Sequence, residues 1–524
     1  ARACAYKARR VGQGHAPRPY NHKMKNYELL LLSTPLLLTA CQNKEIVKPN
    51  IIYILADDMG YGDVRALNVE SKIPTPTIDS MIGCGMSFSD AHSNAAVSSP
   101  TRYGTLTGRY AFRSSLKNGV LVGLDSSIIE PTRPTVATFL RQNGYRTACV
   151  GKWHVGLDWQ SIDSTRPLFT GDRWNINNTS NVNYSGTIGG GPMAHGFDYS
   201  FIIPGSLGMP PYTYIENDRV TAPVTTYIQA WDSGQTDGTR FRAGDAAQGF
   251  DLFSCQQTLT AKAVDYIAKA PLDKPFFLYF ALAAPHAPHL PSSEFQGRSQ
   301  AGPYGDFVCM VDDALAQVYR ALREAGQEEN TIVIFTSDNG SMWRPEHIRQ
   351  YGHRSNGPFS GRKFDVLEGG HHVPYVVTWA DHIHHKVSNQ LVSSTDLMAT
   401  CATILGTELP SGAGEDSHSF WHAITGQNGD SAARTTMIYH SNAGNFGYRS
   451  GKWALLDCRD WGGWLTPKSR QEGLAGMKLY DLSQDIAQKN DLAGQYPELV
   501  ERLKTELLSQ IESSFEKAKG DKAQ

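Results

Sequence analysis

Strong charge of either sign is missing from this chain. Across 524 residues, 49 Lys and Arg stand against 51 Asp and Glu, a net charge of −2, so no strong field favours nucleic acid or an anionic membrane. Cysteine pairs at CxxC spacing and His-rich tracts are also missing, which removes the usual zinc frameworks. No repeat of about 20–50 residues is visible, which argues against solenoids and propellers. Apolar runs are short, and that of Leu29–Leu38 is too brief for a comfortable membrane span. Glycine (49 residues) and aromatics (10%) are plentiful instead. That composition suits a loop-rich α/β enzyme and not a disordered or coiled-coil protein. A hydrophobic content of 40% over this length is ample for a large core, with more than one compact unit expected.

The first residues are set apart from the fold. Residues 1–23 are basic and patternless and precede a plausible start at Met24, so they read as a non-native leader. From Met24 a short basic start and the apolar run Leu29–Leu38 form a signal h-region. The run ends in Leu38-Thr39-Ala40-Cys41, which resembles the lipobox of bacterial lipoproteins. The resemblance implies cleavage before Cys41, a lipid on its thiol, and export to the periplasm or cell surface, with no other membrane contact. Apart from Cys4 and Cys41, the cysteines are Cys84, Cys149, Cys255, Cys309, Cys401 and Cys458. Export would allow some of them to pair, while Cys149 and Cys309 read as buried free thiols.

Strand-length apolar runs alternate with helical stretches. Asn50–Ala56, Thr147–Val150, Phe276–Ala281, Thr331–Phe335 and Tyr375–Trp379 are continuous runs of the kind covered on both faces. Val308, Val311, Leu315, Val318 and Leu322 recur at three and four residues, the stripe of an amphipathic helix that Gly326 stops. The predicted fold is α/β, a large mostly parallel central sheet flanked by helices. Residues 155–250, rich in Gly, Asn, Ser, Thr and Pro, read as long insertions carrying binding loops. A smaller C-terminal α+β subdomain is expected over 431–524, ending in an amphipathic helix from about Pro497 to Phe515. The catalytic domain would then be 48–430.

Six short segments carry chemistry. Ser98-Ser99-Pro100-Thr101-Arg102 precedes Leu106-Thr107-Gly108-Arg109. Ala56-Asp57-Asp58 and Phe335-Thr336-Ser337-Asp338-Asn339 follow apolar runs directly. Gly151-Lys152-Trp153-His154, Ala284-Pro285-His286 and Gly361-Arg362-Lys363, with Leu367-Glu368-Gly369-Gly370-His371-His372, complete the set. Carboxylates at the carboxyl ends of strands mark the ligand edge of an open α/β sheet. Adjacent carboxylates repel, so a cation is their natural partner. An all-oxygen set suits a hard ion such as calcium better than zinc.

Taken in order, the six segments resemble those of the sulfatases, the Ser98 segment being similar to the family signature. The resemblance implies oxidation of Ser98 to formylglycine by a serine-type maturase. The aldehyde hydrate carries two hydroxyls on one carbon: one attacks sulfur, and the other loses its proton and expels sulfate by carbon–oxygen cleavage. It implies Asp57, Asp58, Ser98, Asp338 and Asn339 as ligands of one Ca2+ ion. Arg102 would steady the hydrate, Lys152 would contact sulfate or nucleophile, and His154 would be the base. His286 would protonate the leaving sugar oxygen, and Lys363 would pair with sulfate. His353-Arg354-Ser355-Asn356-Gly357-Pro358 and Ser206–Tyr212 resemble bacterial sulfatases acting on galactose or N-acetylgalactosamine sulfates. His353, Arg354, His372 (where relatives often have Arg) and His440 are the candidate substrate contacts. The expected substrate is a galacto-configured sulfated glycan such as a mucin or chondroitin fragment, with 6-O, 4-O and 3-O sulfate all open. Two rival readings are a phosphatase or phosphodiesterase of the alkaline-phosphatase superfamily and a catalytically silent, lipid-anchored glycan-binding protein.

Overall fold

Strand β1 (Asn50–Ala56) shows how the sequence builds the layers. Ile51, Tyr53 and Leu55 enter one hydrophobic core, and Ile52, Ile54 and Ala56 enter another, because alternate strand residues face opposite sides. The computed structural model describes residues 48–233, 240–426, 434–457 and 476–520. The leader and the lipobox at Cys41 lie outside them. The sheet holds nine more strands: β2 (Met86–His92), β3 (Arg146–Lys152), β4 (Tyr199–Ile203), β5 (Ile215–Glu216), β6 (Arg219–Val220), β7 (Phe276–Ala281), β8 (Thr331–Ser337), β9 (Tyr375–Trp379) and β10 (Lys386–Ser393). Their spatial order is β10-β2-β9-β8-β1-β7-β3-β4-β5-β6. The central run β8-β1-β7-β3-β4 is parallel throughout, so the carboxyl ends of five strands share one rim.

Both faces are covered. Helices Pro76–Cys84, Cys255–Ala268 and Gly302–Glu324 bury Ile78, Leu259, Val308, Leu315 and Val318 on one side. The predicted stripe is the buried side of the third of these, and Gly326 follows it at φ 66. On the other side, Leu106, Phe139, Leu140, Met398 and Cys401 come from Ser98–Thr107, Val136–Gln142 and Leu397–Leu405.

The region read as loop insertions contains three strands of the main sheet, β4, β5 and β6. Tyr199–Ile203 pairs in parallel with β3; five residues between turn-formers give too short a run to stand out. The rest of that stretch forms short hairpins, such as Val224–Ile228 with Gly244–Ala247. Strands β11 (Thr436–His440), β12 (Phe446–Ser450), β13 (Trp453–Asp457) and β14 (Met477–Asp481) form a four-stranded antiparallel sheet. One face packs on Leu503 and Leu507 of helix Pro497–Gly520 together with Tyr110 and Phe112. The other face meets Val366 and Leu391. Cys84, Cys149, Cys255, Cys309 and Cys401 are free thiols, and Cys458 lies outside the described residues. Among the described residues no helix is long and apolar enough to cross a membrane.

Candidate active site

The shared rim gathers four of the chemical segments. Asp57 and Asp58 follow β1, Asp338 and Asn339 follow β8, Lys152 ends β3, and His286 lies five residues beyond β7. Ser98 opens the ten-residue helix Ser98–Thr107, whose unpaired amide groups give that end positive character. Lys363 arrives on the loop ahead of the Glu368 turn.

Three carboxylates meet three cations here, all buried. Lys152 Nζ donates to both Asp57 oxygens at 2.7 Å and to Ser98 Oγ at 3.2 Å. Ser98 Oγ in turn donates to Asp57 Oδ1 at 3.3 Å. Arg102 clamps Asp338 Oδ2 through Nε (3.1 Å) and Nη2 (2.7 Å) and passes 3.5 Å from Asp57. Lys363 Nζ lies 2.6 Å from Asp58 Oδ2, and His286 Nε2 lies 3.6 Å from the same atom. Burial works to raise the Asp58 carboxyl, but Lys363 and His286 outweigh it and hold it below the usual range. Burial pulls Lys152 down to about 8 against the opposing charge of Asp57.

The histidines are held neutral. Burial, with Lys363 beside it, pushes His286 down to about 3. His154 falls well below its ordinary value through burial and the nearby Lys152 and Arg102. Its Nε2 donates to the Leu121 carbonyl at 2.7 Å, so the lone pair sits on Nδ1, which is buried without a partner. His154 and Ser98 line the same cavity. Lys152 and His154, two residues apart, do not lie on one extended segment. The strand stops at Lys152, and His154 takes a left-handed backbone at φ 57.

The residues present fit a hard cation. Asn339 Oδ1 is buried and has no hydrogen-bond partner, although Asn339 Nδ2 donates to Asp58 Oδ1 at 2.7 Å. Ligand atoms of Asp57, Asp58 and His286 lie within 4.8 Å of one another. An unpaired oxygen among carboxylates is the donor set calcium prefers.

The cavity over this centre measures about 270 Å³, and Asp58, Ser98, His154, His286 and Lys363 line it. Four residues proposed from the sequence as substrate contacts do not line it. His353 is fully buried and binds Asp63 Oδ1 at 2.8 Å. Arg354 is exposed elsewhere. His372 is buried between Glu368 and the Ser89 carbonyl. His440 is buried with Nδ1 against Ser441 O. Ser206 and Gly208 do reach the cavity, as does His289. Its outer wall adds Trp174, Arg240, Arg242, Trp343, Arg344 and His347. Trp343 and Arg344 follow Asp338-Asn339-Gly340 so closely that their place after β8 was the available signal. Arg240 and Arg242 had none, because the loop that carries them has no periodicity.

Carboxylates, a helix-start hydroxyl and three cations at the rim of a parallel sheet suit an enzyme of α/β architecture that acts on an anionic ester. The chain belongs to the sulfatase family, whose model, described as Sulfatase, matches residues 49–407. It is a sulfuric ester hydrolase. An N-acetylgalactosamine-6-O-sulfatase from Bacteroides thetaiotaomicron is 29% identical over 94% of this chain and 100% of its own. Human N-acetylgalactosamine-6-sulfatase is 31% identical over 69% of this chain and 63% of its own. A solved structure described under the metabolism of multiple glycosaminoglycans by Bacteroides thetaiotaomicron has a TM-score of 0.74 at 27% identity, covering 88% of this chain and 99% of that one.

Proposed function

We propose that the chain removes 6-O-sulfate from N-acetylgalactosamine in sulfated glycans, with Ser98 matured to formylglycine and one calcium ion bound. The observation that carries this reading is the convergence of Ser98, Asp58, His154, His286 and Lys363 on one cavity, with Lys152 and Asp57 bonded to Ser98. The 6-O position rests on the names of the relatives. Asp57, Asp58, Asp338, Asn339 and the residue-98 oxygen would hold the ion. When present, the ion would polarise a sulfate oxygen, and the oxidised side chain would supply, as its hydrate, the attacking hydroxyl.

The remaining work falls to the chain's own groups. Lys152 and Arg102 keep positive charge beside the residue-98 oxygen. The free Nδ1 of His154 accepts the proton whose loss releases sulfate from residue 98. Lys363 opposes charge on the transferring sulfate. The His286 imidazole, neutral before substrate arrives, gains affinity for a proton beside the negatively charged sulfate ester and passes it to the leaving sugar oxygen. Arg240, Arg242 and Trp174 offer a cationic and aromatic wall to the rest of the glycan. Export and a lipid on Cys41 are part of the same proposal, with a serine-type maturase as the partner.

The test pairs mass with activity. Protein from a host with a serine-type maturase should show a residue-98 peptide about two daltons below the encoded mass, the loss of two hydrogens on oxidation of the alcohol. It should release sulfate from N-acetylgalactosamine 6-sulfate and leave the 4-sulfate intact. An unconverted, inactive Ser98 in that host, or faster turnover of aryl phosphate than of aryl sulfate, would overturn the reading.

A further inference from the structure

A second cluster of chemistry-bearing side chains lies outside the lining of the active-site cavity. His92 ends β2, and Glu368, His371 and His372 form the turn after Lys363; all four are at most 2% exposed. Their hydrogen bonds fix which nitrogens carry protons. His92 Nε2 lies 2.8 Å from Asp90 Oδ1, and Asp90 is itself paired with Arg449. His371 Nε2 lies 3.3 Å from the Val366 carbonyl. A carboxylate and a carbonyl only accept, so both Nε2 atoms are N–H donors. The Nδ1 atoms of His92 and His371 lie 3.0 Å apart. Glu368 Oε2 lies 3.9 Å from His92 Nδ1, and ligand atoms of His92, Glu368 and His371 all lie within 4.8 Å of one another. Glu368 Oε1 is buried with no hydrogen-bond partner at all. A buried carboxylate oxygen left idle beside two imidazole nitrogens is costly unless something positive sits among them.

We propose that His92 Nδ1, His371 Nδ1 and the Glu368 carboxylate form a structural site for a divalent transition ion, zinc by preference. Zinc–nitrogen bonds of about 2.0–2.1 Å at a tetrahedral angle put ligand atoms about 3.3 Å apart. The separations of 3.0 and 3.9 Å bracket that value. Imidazole with carboxylate suits zinc better than calcium. The outer bonds from His92 to Asp90 and from His371 to a carbonyl are those that orient metal-bound imidazoles. His372, bonded through Nδ1 to Glu368 Oε2 at 2.9 Å and through Nε2 to Ser89 O at 3.0 Å, steadies the carboxylate. The Tyr439 ring covers His371 at 3.8 Å between centroids. A site this sealed takes its ion during folding and exchanges it slowly. It ties the segment that leads to Ser98 to the segment that follows Lys363, two walls of the cavity.

The experiment reads metal content, so it stands apart from turnover and from the maturation of Ser98. The full chain is unfolded with chelator, refolded with zinc or with cobalt(II), stripped of accessible metal by chelator in the folded state, and analysed by elemental mass spectrometry. The expected result is about one zinc per folded chain that resists the chelator, and with cobalt the visible absorption of a tetrahedral ion. Glu368→Gln and His371→Gln should each retain less than about a tenth of an equivalent. Folded wild-type protein holding less than about a tenth of an equivalent after zinc refolding would overturn the proposal. A proton shared between the two imidazoles would then account for the 3.0 Å contact. Cobalt bound with an octahedral spectrum, or retained equally by both variants, would overturn it as well.

Discussion

Asp58, His154 and Phe364 share a left-handed backbone, at φ 66, 57 and 82. Each stands in the cavity wall, where strain persists because the surrounding packing over-determines it. Gly151 adopts φ 115 for a steric reason. A Cβ there would sit 1.7 Å from the Ala281 carbonyl oxygen, part of the neighbouring strand that cannot move aside. Gly151→Ala should lower unfolding free energy by more than about 3 kcal/mol in urea titration, combining a forbidden φ with a backbone clash. For catalysis, His154→Gln should cut kcat for sulfate release by about 10²–10⁴ and lower KM with it, because a base that acts only as sulfate leaves residue 98 makes breakdown of the covalent intermediate rate-limiting. Lys363→Ala should lower kcat/KM by about 10²–10³, read from the same sulfate assay. It also leaves the buried Asp58 carboxylate short of its 2.6 Å cation.

At the scale of elements, helix Pro76–Cys84 depends on a residue far along the chain. Its second and third residues, Thr77 and Ile78, donate backbone N–H groups to the Asp312 carboxylate at 2.9–3.1 Å. Burial raises the Asp312 pKa from 3.8 to about 6, against those hydrogen bonds. A carboxyl raised in the folded state contributes stability that is complete below its unfolded pKa and lost as pH rises through the folded one. Above pH 6 the charge is therefore a burden while the acceptor is still useful. Asp312→Ala should cost about 1–2 kcal/mol at pH 7.5. Asp312→Asn, which keeps the acceptor without the charge, should equal or exceed wild type. Urea melts of the three proteins decide this.

Across the whole molecule, burial depresses the pKa of several histidines, among them His195 and His440. Each takes up a proton on unfolding once pH falls below the ordinary 6.5. Their contribution is therefore present above that pH and lost as it falls, by about 1.4 kcal/mol per pH unit for each group. The urea midpoint should drop steeply between pH 7 and 5.5, and His195→Gln should flatten the slope; an unchanged slope would show that His195 is not one of the groups responsible. The C-terminal sheet takes part in the same cooperative core. Tyr110 and Phe112, just after the Ser98 helix, pack among Ile438, Tyr448 and Leu503. Arg434 reaches from the edge of that sheet to the Asp396 carboxylate.

Composition, apolar period and six short segments were enough to define the parallel sheet, its main helix and the groups at its rim. Those features are local: a buried strand must be continuously apolar, and a strand-end carboxylate follows it directly in sequence. Tyr199–Ile203 escaped notice because five residues carry little periodicity and its pairing partner is some fifty residues away. The pocket wall of Arg240, Arg242 and Trp174, the retreat of His353, His372 and His440 from the cavity, and the meeting of His92 with Glu368 and His371 were decided by tertiary structure alone. Each depends on where separate loops come to rest against one another. That is set by the packing of the whole core, to which no single stretch of chain holds the key.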